Sequence, residues 1–286
     1  MSLSSLKRLP DNTIEILTTV TSDKVEEEHK QILTQLQKTT ELAGFRKGKA
    51  PRSQVEKTVG KEKVYNETAK NLIPKIYSQL IQEHQLHPII NPKIELISAQ
   101  EGKDWQIKFT VCETPTVNLG NYKEEIKKIT AKNKIWTPEK EEQSPKEDKK
   151  NKTEEKTQEI IKALLRNVKI AIPQILIENE VNQKLASLIE KTEKLGLTLD
   201  QYLNSLGKTA EQIKKEYQKE SQDNWHLELT LNKIADQEKI TVDNEEIDKI
   251  IADSKNEKEK ENLSHQRYML AFILKQRKTL EFLQNL

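Results

Sequence analysis

The sequence predicts an α+β N-terminal domain, a small antiparallel sheet with long helices, followed by an all-α C-terminal domain with helical arms, in an elongated molecule. Three observations support this fold class. The clearest alternation of apolar and polar residues runs through 105–112, which is typical of a half-buried strand. From Ile160 onward every strong signal has helical spacing. Between them, residues 137–159 contain no aliphatic or aromatic side chain, which predicts a charged linker.

Residues 1–117 are predicted to form the first domain. Alternation of apolar and polar residues predicts its strands, and glycine and proline mark the ends of its helices. Gly102 marks the turn of a hairpin. The expected elements are a strand over 13–20, a helix capped by Asp23, a helix over 51–59, a helix over 61–85 with a kink or break at Pro74, and strands over 94–97 and 105–112.

The stretch 44–49, Gly44-Phe45-Arg46-Lys47-Gly48-Lys49, lies between two of these helices. Glycine reaches positive φ at little steric cost, so the two glycines predict a tight tip, and Pro51 starts the next helix. The tip shows three cations and one phenylalanine to solvent. The phenylalanine could enter a pocket of a partner, and the cations could pair with carboxylates or phosphates. A solvated basic turn that happens to contain Phe45 is the alternative explanation.

The segment GFRKGK followed by Pro51 resembles the ribosome-docking signature of bacterial trigger factor, the chaperone at the polypeptide exit tunnel. The run Glu113–Val117 is also similar to the exit from the ribosome-binding domain of that family. The resemblance implies that 1–117 is a ribosome-binding domain. It also implies that residues 44–49 contact an exit-tunnel ribosomal protein and ribosomal RNA.

The helical part, 160–286, resembles the C-terminal domain of trigger factor. The similarity lies in the pattern Ile172-Pro173, Ile177-Glu178, Glu180-Val181 followed by helix pairs bounded by Gly196 and Gly207. It implies a substrate-binding domain that shields nascent polypeptides. Its last helix is expected over 258–286, and a wholly polar stretch, 218–224, predicts a projecting helix. Most apolar positions must build the core, so no substrate-contact residue is named.

Most trigger factors carry a peptidyl-prolyl isomerase domain between these two parts. Here residues 118–159 fill that place, and they are too few and too polar to fold alone. We therefore expect the isomerase domain to be absent and read 118–159 as a linker. Isomerase activity, which the family would suggest, is not expected.

No catalytic residue, cofactor or metal site is predicted. The sequence has no phosphate-binding glycine motif and no HExxH, and one cysteine. His29 is expected to be partly buried on its helix, His84 and His87 to lie at a solvated helix end, and Cys112 to be structural or incidental on the more polar strand face. The net charge of +2 confines any attraction to nucleic acid to a local patch.

The start of the chain lacks a signal-peptide core, and the longest apolar run, 269–274, is too short for a membrane span. These features indicate a cytoplasmic protein. The expected function is that of an ATP-independent, co-translational chaperone that docks on the ribosome. Two alternatives stay open: retained prolyl isomerase activity, and an RNA-binding ribosome-assembly factor with no client role. Whether the free protein forms a homodimer is also open.

Overall fold

The structure is a computed structural model, and it describes residues 3–42, 44–46, 48–132, 146–253 and 256–286. The chain divides into two compact units, residues 1–114 and 115–286. Each unit has its own hydrophobic core.

The first unit is an antiparallel sheet covered on one face by helices. Its elements are β1 (Leu3–Arg8), β2 (Thr13–Val20), α1 (Ser22–Thr39), α2 (Arg52–Val59), α3 (Lys61–Glu83), β3 (Lys93–Ser98) and β4 (Trp105–Cys112). The four strands lie in the order β1-β2-β4-β3, and every neighbouring pair is antiparallel. The predicted α+β class and the hairpin turned at Gly102 are confirmed.

The core lies between the sheet and α3. The register places Ile16 of β2 opposite Phe109 of β4, and both side chains are completely buried. From α3, the ring of Tyr77 lies 5.5 Å from that of Phe109, and Ile76 and Leu80 fill the same cluster. One strand face therefore supplies the apolar surface that α3 covers, as the alternation over 105–112 predicts.

Helix α1 begins differently from the prediction that Asp23 caps it. Asp23 lies inside the first turn, and the residue at the N-cap, Thr21, makes no side-chain capping bond. The free Ser22 N–H instead donates to Asp104 Oδ1 at 2.8 Å, from the turn of the β3–β4 hairpin. This acceptor lies far away in sequence, so a local cap search misses it.

Two other features of this unit differ from the sequence expectations. A kink or a break was predicted at Pro74, but helix α3 runs unbroken from Lys61 to Glu83 with Pro74 inside it, so the break is wrong. Packing of the buried side chains on both sides of Pro74 offsets the backbone hydrogen bond that proline cannot donate. Strand β1 has no clear alternation of its own, and its pairing with β2 supplies the partner that makes it a strand.

A carboxylate at the end of β4 joins three segments of the first unit. Glu113 accepts a hydrogen bond from the His87 backbone N–H at 2.9 Å and another from Arg8 Nη1 at 2.7 Å. The bond from the His87 backbone, and to a smaller extent the bond from Arg8, hold the pKa of the Glu113 carboxyl below its usual value near 4.5. The ionised form is therefore favoured by the folded state.

We expect Glu113→Gln to lower the free energy of unfolding at pH 7 by about 1–2 kcal/mol, since it weakens hydrogen bonds to a charged acceptor. The wild-type contribution is present above the unfolded pKa and is lost as pH falls through the lower folded pKa. In urea titrations below pH 4.5, the free energy of unfolding of the variant should therefore decrease less steeply with falling pH than that of wild type. Glu62→Gln, at an exposed position of α3, is the matched control. Equal acid sensitivity of the Glu113 variant and wild type would contradict the assignment.

The second unit is mostly helical. Its elements are β5 (Val117–Asn118), α4 (Tyr122–Lys132), α5 (Lys146–Asn167), β6 (Lys169–Ile170), α6 (Gln174–Lys194), α7 (Leu199–Ser205), α8 (Ala210–Gln237), α9 (Asn244–Asp253), α10 (Glu257–His265) and α11 (Arg267–Gln284). The short strands β5 and β6 pair antiparallel, a ladder that the all-α prediction did not include.

The division of the chain differs from the predicted segments. Residues 118–132 were expected in a linker, but Tyr122 and Ile126 of α4 are buried against Ile160 and Leu164 of α5. The described residues of the charged run, 146–159, form the first turns of α5. Residues 133–145 lie outside the described residues. The apolar face of α4 is thus covered by a helix that comes later in the chain.

Helix α8 also departs from expectation in its polar middle. Ser221 is completely buried there, and Glu220 and Asn224 reach across to Lys184 and Glu180 of α6. The stretch 218–224 therefore packs along α6 through polar contacts instead of being solvated all round. The single helix predicted over 258–286 is two helices, with Gln266 between them.

Candidate functional site

The tip at 44–49 lies between α1 and α2, as its glycines predict. Gly44 has φ +86° and Gly48 has φ +80°, both in the left-handed region where a side chain would be strained. The Phe45 N–H donates to the Leu42 carbonyl at 3.0 Å, and the Lys49 N–H donates to the Arg46 carbonyl at 2.9 Å. These two hydrogen bonds hold the backbone of the described tip residues.

Phe45 is one of the large apolar residues of the first unit that stay exposed. Its side chain is 46% exposed, although an aromatic ring normally contributes large buried area. Arg46 and Lys49 are exposed as well, and within the described part of the chain neither forms an ion pair. Lys47, the third predicted cation, lies outside the described residues. The geometry thus presents one free ring beside two cations without carboxylate partners among the described residues.

The base of the tip is fixed to the rest of the unit. Gln37 Nε2 of α1 donates to the Ala50 carbonyl at 2.6 Å, across the loop. Ala50 and Val55 are buried. Ile32 and Leu33 of α1 form a small cluster with Val64 of α3. Ordered ends reduce the conformational entropy that the tip would lose on binding a partner.

A second exposed surface lies on the first half of α11. Tyr268, Met269 and Ile273 are 88%, 56% and 52% exposed. Beside them, an open groove of about 540 Å³ is lined by Ile240, Val242, Tyr268, Ala271, Phe272 and others. Lys275 Nζ and Asp236 Oδ1 pair at 2.7 Å at this groove. Sequence reasoning missed this surface, although the signal was present as the apolar run 269–274.

The other residues considered for chemistry have structural contacts. The ring of His29 is tilted by 39° against that of Tyr65, with centroids 4.7 Å apart, and its predicted partial burial is confirmed. His84 Nε2 lies 3.3 Å from Ser4 Oγ. Cys112 is completely buried, not on a solvated face, and burial with the nearby Asp11 raises the pKa of its thiol to about 12. No group of His, Cys, Asp and Glu in the described ranges could hold a metal ion.

Comparison with known families assigns the chain. The model of the bacterial trigger factor protein (TF) matches residues 1–146, and the model of the bacterial trigger factor C-terminus matches residues 124–283. Each match covers more than half of the sequence. The chain belongs to the bacterial trigger factor family. Because the two matched regions overlap at 124–146, no segment remains between them for an isomerase domain, as we expect from the small size and polarity of residues 118–159.

Individual relatives match over the first part of the chain. Trigger factor of Moorella thermoacetica is 36% identical over 119 residues, which is 42% of this chain and 27% of the relative. Trigger factor of Desulforamulus reducens is 35% identical over 120 residues, 42% of this chain and 28% of the relative. The chain thus spans about a quarter of the length of the curated relatives it matches.

A solved structure is similar over almost the whole chain. It comes from work on promiscuous substrate recognition in folding and assembly activities of the trigger factor chaperone. It matches 98% of this chain and 99% of its own with a TM-score of 0.62, at 13% identity. At this identity the similarity establishes the fold. Among the helices that the structure describes, none combines the length and apolar character of a membrane span.

Proposed function

We propose that this protein is an ATP-independent chaperone of the cytoplasm that docks on the ribosome near the exit tunnel and shields nascent chains. The observation that carries the proposal is the tip: an exposed Phe45 between two glycines of positive φ, followed by the exposed cations Arg46 and Lys49. Residues 44–49 are the docking residues, with Phe45 entering a partner pocket. Arg46, Lys47 and Lys49 pair with carboxylates or with phosphates of ribosomal RNA.

The second unit supplies the surface for client chains. An unfolded polypeptide exposes apolar side chains of many sequences, so its binder needs apolar area without a fixed shape. The exposed face of α11 has that composition, with an aromatic, a thioether and an aliphatic side chain in Tyr268, Met269 and Ile273. Such flexible and aromatic side chains adapt to different partners.

The test is co-sedimentation with vacant ribosomes over a range of salt concentrations. We expect Phe45→Ala with Arg46→Ala and Lys47→Ala to weaken binding at least tenfold, because a buried aromatic anchor and two cations are lost together. Phe45→Ala alone should leave the salt dependence unchanged, whereas loss of the cations should reduce it if they contact phosphates.

The matched control removes two exposed cations elsewhere in the first unit, Lys57→Ala with Lys63→Ala. It should bind like wild type. Unchanged binding of the triple variant would refute docking through the tip. Binding through the tip without suppression of client aggregation would favour the ribosome-assembly alternative.

A further inference from the structure

Met269 lies in the first turn of α11, on the exposed apolar face of that helix. The residue is 56% exposed, and its neighbours on this face, Tyr268 and Ile273, are 88% and 52% exposed. Residues four apart lie one above the other on a helix, so Met269 and Ile273 share one stripe. The thioether is therefore open to small molecules in solvent and surrounded by apolar side chains that α11 leaves exposed.

The other sulfur atoms of the chain compete little for an oxidant. The sequence has three sulfur-containing residues, Met1, Cys112 and Met269. Cys112 is completely buried, and its burial and the nearby Asp11 raise the pKa of its thiol to about 12. Because the thiolate is the form that reacts, a buried thiol that keeps its proton reacts slowly. Met1 lies outside the described residues. Within the described ranges, Met269 is thus the exposed sulfur.

Oxidation of a thioether by a peroxide changes its polarity more than its size. The sulfur attacks one oxygen of hydrogen peroxide, so an S–O bond forms and the O–O bond breaks. The leaving hydroxide takes the proton of the transferred oxygen and departs as water. The sulfur has then lost two electrons, which the peroxide has gained. The product, methionine sulfoxide, is a polar side chain in place of a flexible apolar one.

We propose that Met269 is a reversible oxidation site that controls how strongly the α11 face holds apolar segments of client chains. The effect on clients rests on the proposed function, in which Tyr268, Met269 and Ile273 contact them. A sulfoxide that is covered by an apolar segment loses its hydrogen bonds to water, and that burial is unfavourable. We expect the affinity for clients to fall about tenfold. Methionine sulfoxide reductases reduce the sulfoxide back to the thioether, so the change is reversible.

The fold of the second unit should tolerate this change. The core cluster around Ile234 takes its α11 residues from the other half of that helix, Leu280, Phe282 and Leu283. An exposed side chain loses little packing when it becomes polar, so the helix should persist. We therefore expect the circular dichroism spectrum and the Tm of the oxidised protein to equal those of the reduced protein. Loss of client affinity together with loss of helix would contradict a local effect at Met269.

Peptide mass spectrometry of the full chain during a hydrogen peroxide titration tests the site. We expect the peptide that contains Met269 to gain one oxygen atom before the peptide that contains Cys112 is modified. Incubation with a methionine sulfoxide reductase and a dithiol should remove that oxygen. Modification of Cys112 at lower peroxide concentrations than Met269 would overturn the assignment, as would a sulfoxide at 269 that the reductase cannot reach.

Binding of an unfolded probe, reduced and carboxymethylated lactalbumin, tests the effect on clients. Peroxide is removed with catalase before the probe is added, so that only the chaperone is oxidised. The affinity of wild type should fall about tenfold on oxidation and return after the reductase treatment. Met269→Leu, compared with itself before and after peroxide, should show no change. The matched control adds Ile97→Met to Met269→Leu: Ile97 is 55% exposed in the first unit, so oxidation occurs there without a change in affinity.

A variant of the two neighbouring side chains separates this inference from the proposed function. If Tyr268→Ser with Ile273→Ser binds the probe like wild type, clients do not use the α11 face, and the proposed client surface is refuted together with its control by oxidation. If that variant binds more weakly but oxidation of Met269 leaves the affinity of wild type unchanged, the client surface stands and the present inference is overturned. An equal loss of affinity in peroxide-treated Met269→Leu would overturn it as well.

Discussion

Phe109→Ala is expected to lower the free energy of unfolding of the first unit by about 3–5 kcal/mol. The Phe109 ring is completely buried in the middle of β4, opposite Ile16 of β2 and against Tyr77 of α3. Its removal leaves a cavity that the sheet and the helix cannot both close. Because domains of this size are stable by only about 5–15 kcal/mol, much of the unit's stability would be lost.

Hydrogen exchange on the full chain measures this effect separately for each unit. Amides of β2, β4 and α3 should exchange much faster in Phe109→Ala, while those of α5 and α8 should be unchanged, since they belong to another core. Gln106→Ala, exposed on the same strand, is the matched control and should cost less than about 0.5 kcal/mol. Equal loss of protection in both units would show that their cores are coupled.

The sequence alone predicts a segment's structure where the residues of that segment determine it. The alternation over 105–112 predicts β4 because that strand lies between two others and is covered on one face. The tip is predictable from Gly44 and Gly48, because positive φ is a property of the residue itself. The exposure of Phe45 agrees with its position in that turn.

Other features depend on residues far apart in the chain. Asp104 satisfies the first turn of α1 from the hairpin turn, and β1 becomes a strand only through β2. In the site, the exposed half of α11 has the same composition as a buried helix. Composition shows that such a segment is apolar, whereas exposure depends on which other helices cover it.

The predicted linker shows the same limit most clearly. Residues 118–132 contain too few apolar side chains to form a core by themselves, and on that ground they were assigned to a linker. A segment needs no core of its own if another element completes it. Tyr122 is buried in α4, and its hydroxyl donates to Glu238 Oε1 at 2.9 Å, beyond the end of α8. Such a partner cannot be found from the segment alone.

Ile126→Ala is expected to lower the free energy of unfolding of the second unit by about 3 kcal/mol. The side chain is 1% exposed, packed in the cluster that contains Ile160, Leu164 and Ile234. A linker residue would tolerate the change, because a solvated side chain loses no packing when it is truncated. The size of the loss therefore distinguishes a structural α4 from a tether.

Urea unfolding followed by hydrogen exchange in α5 and α8 measures that loss, with the first unit as an internal reference. Lys127→Ala, on the exposed side of the same helix turn, should leave the exchange unchanged. Ile126→Val should cost about 1 kcal/mol, so that a graded series remains measurable if the alanine variant unfolds. If Ile126→Ala were as stable as Lys127→Ala, residues 118–132 would be a linker and not part of the core. A loss confined to the second unit would establish that this family member closes its helical domain with the segment that replaces the isomerase.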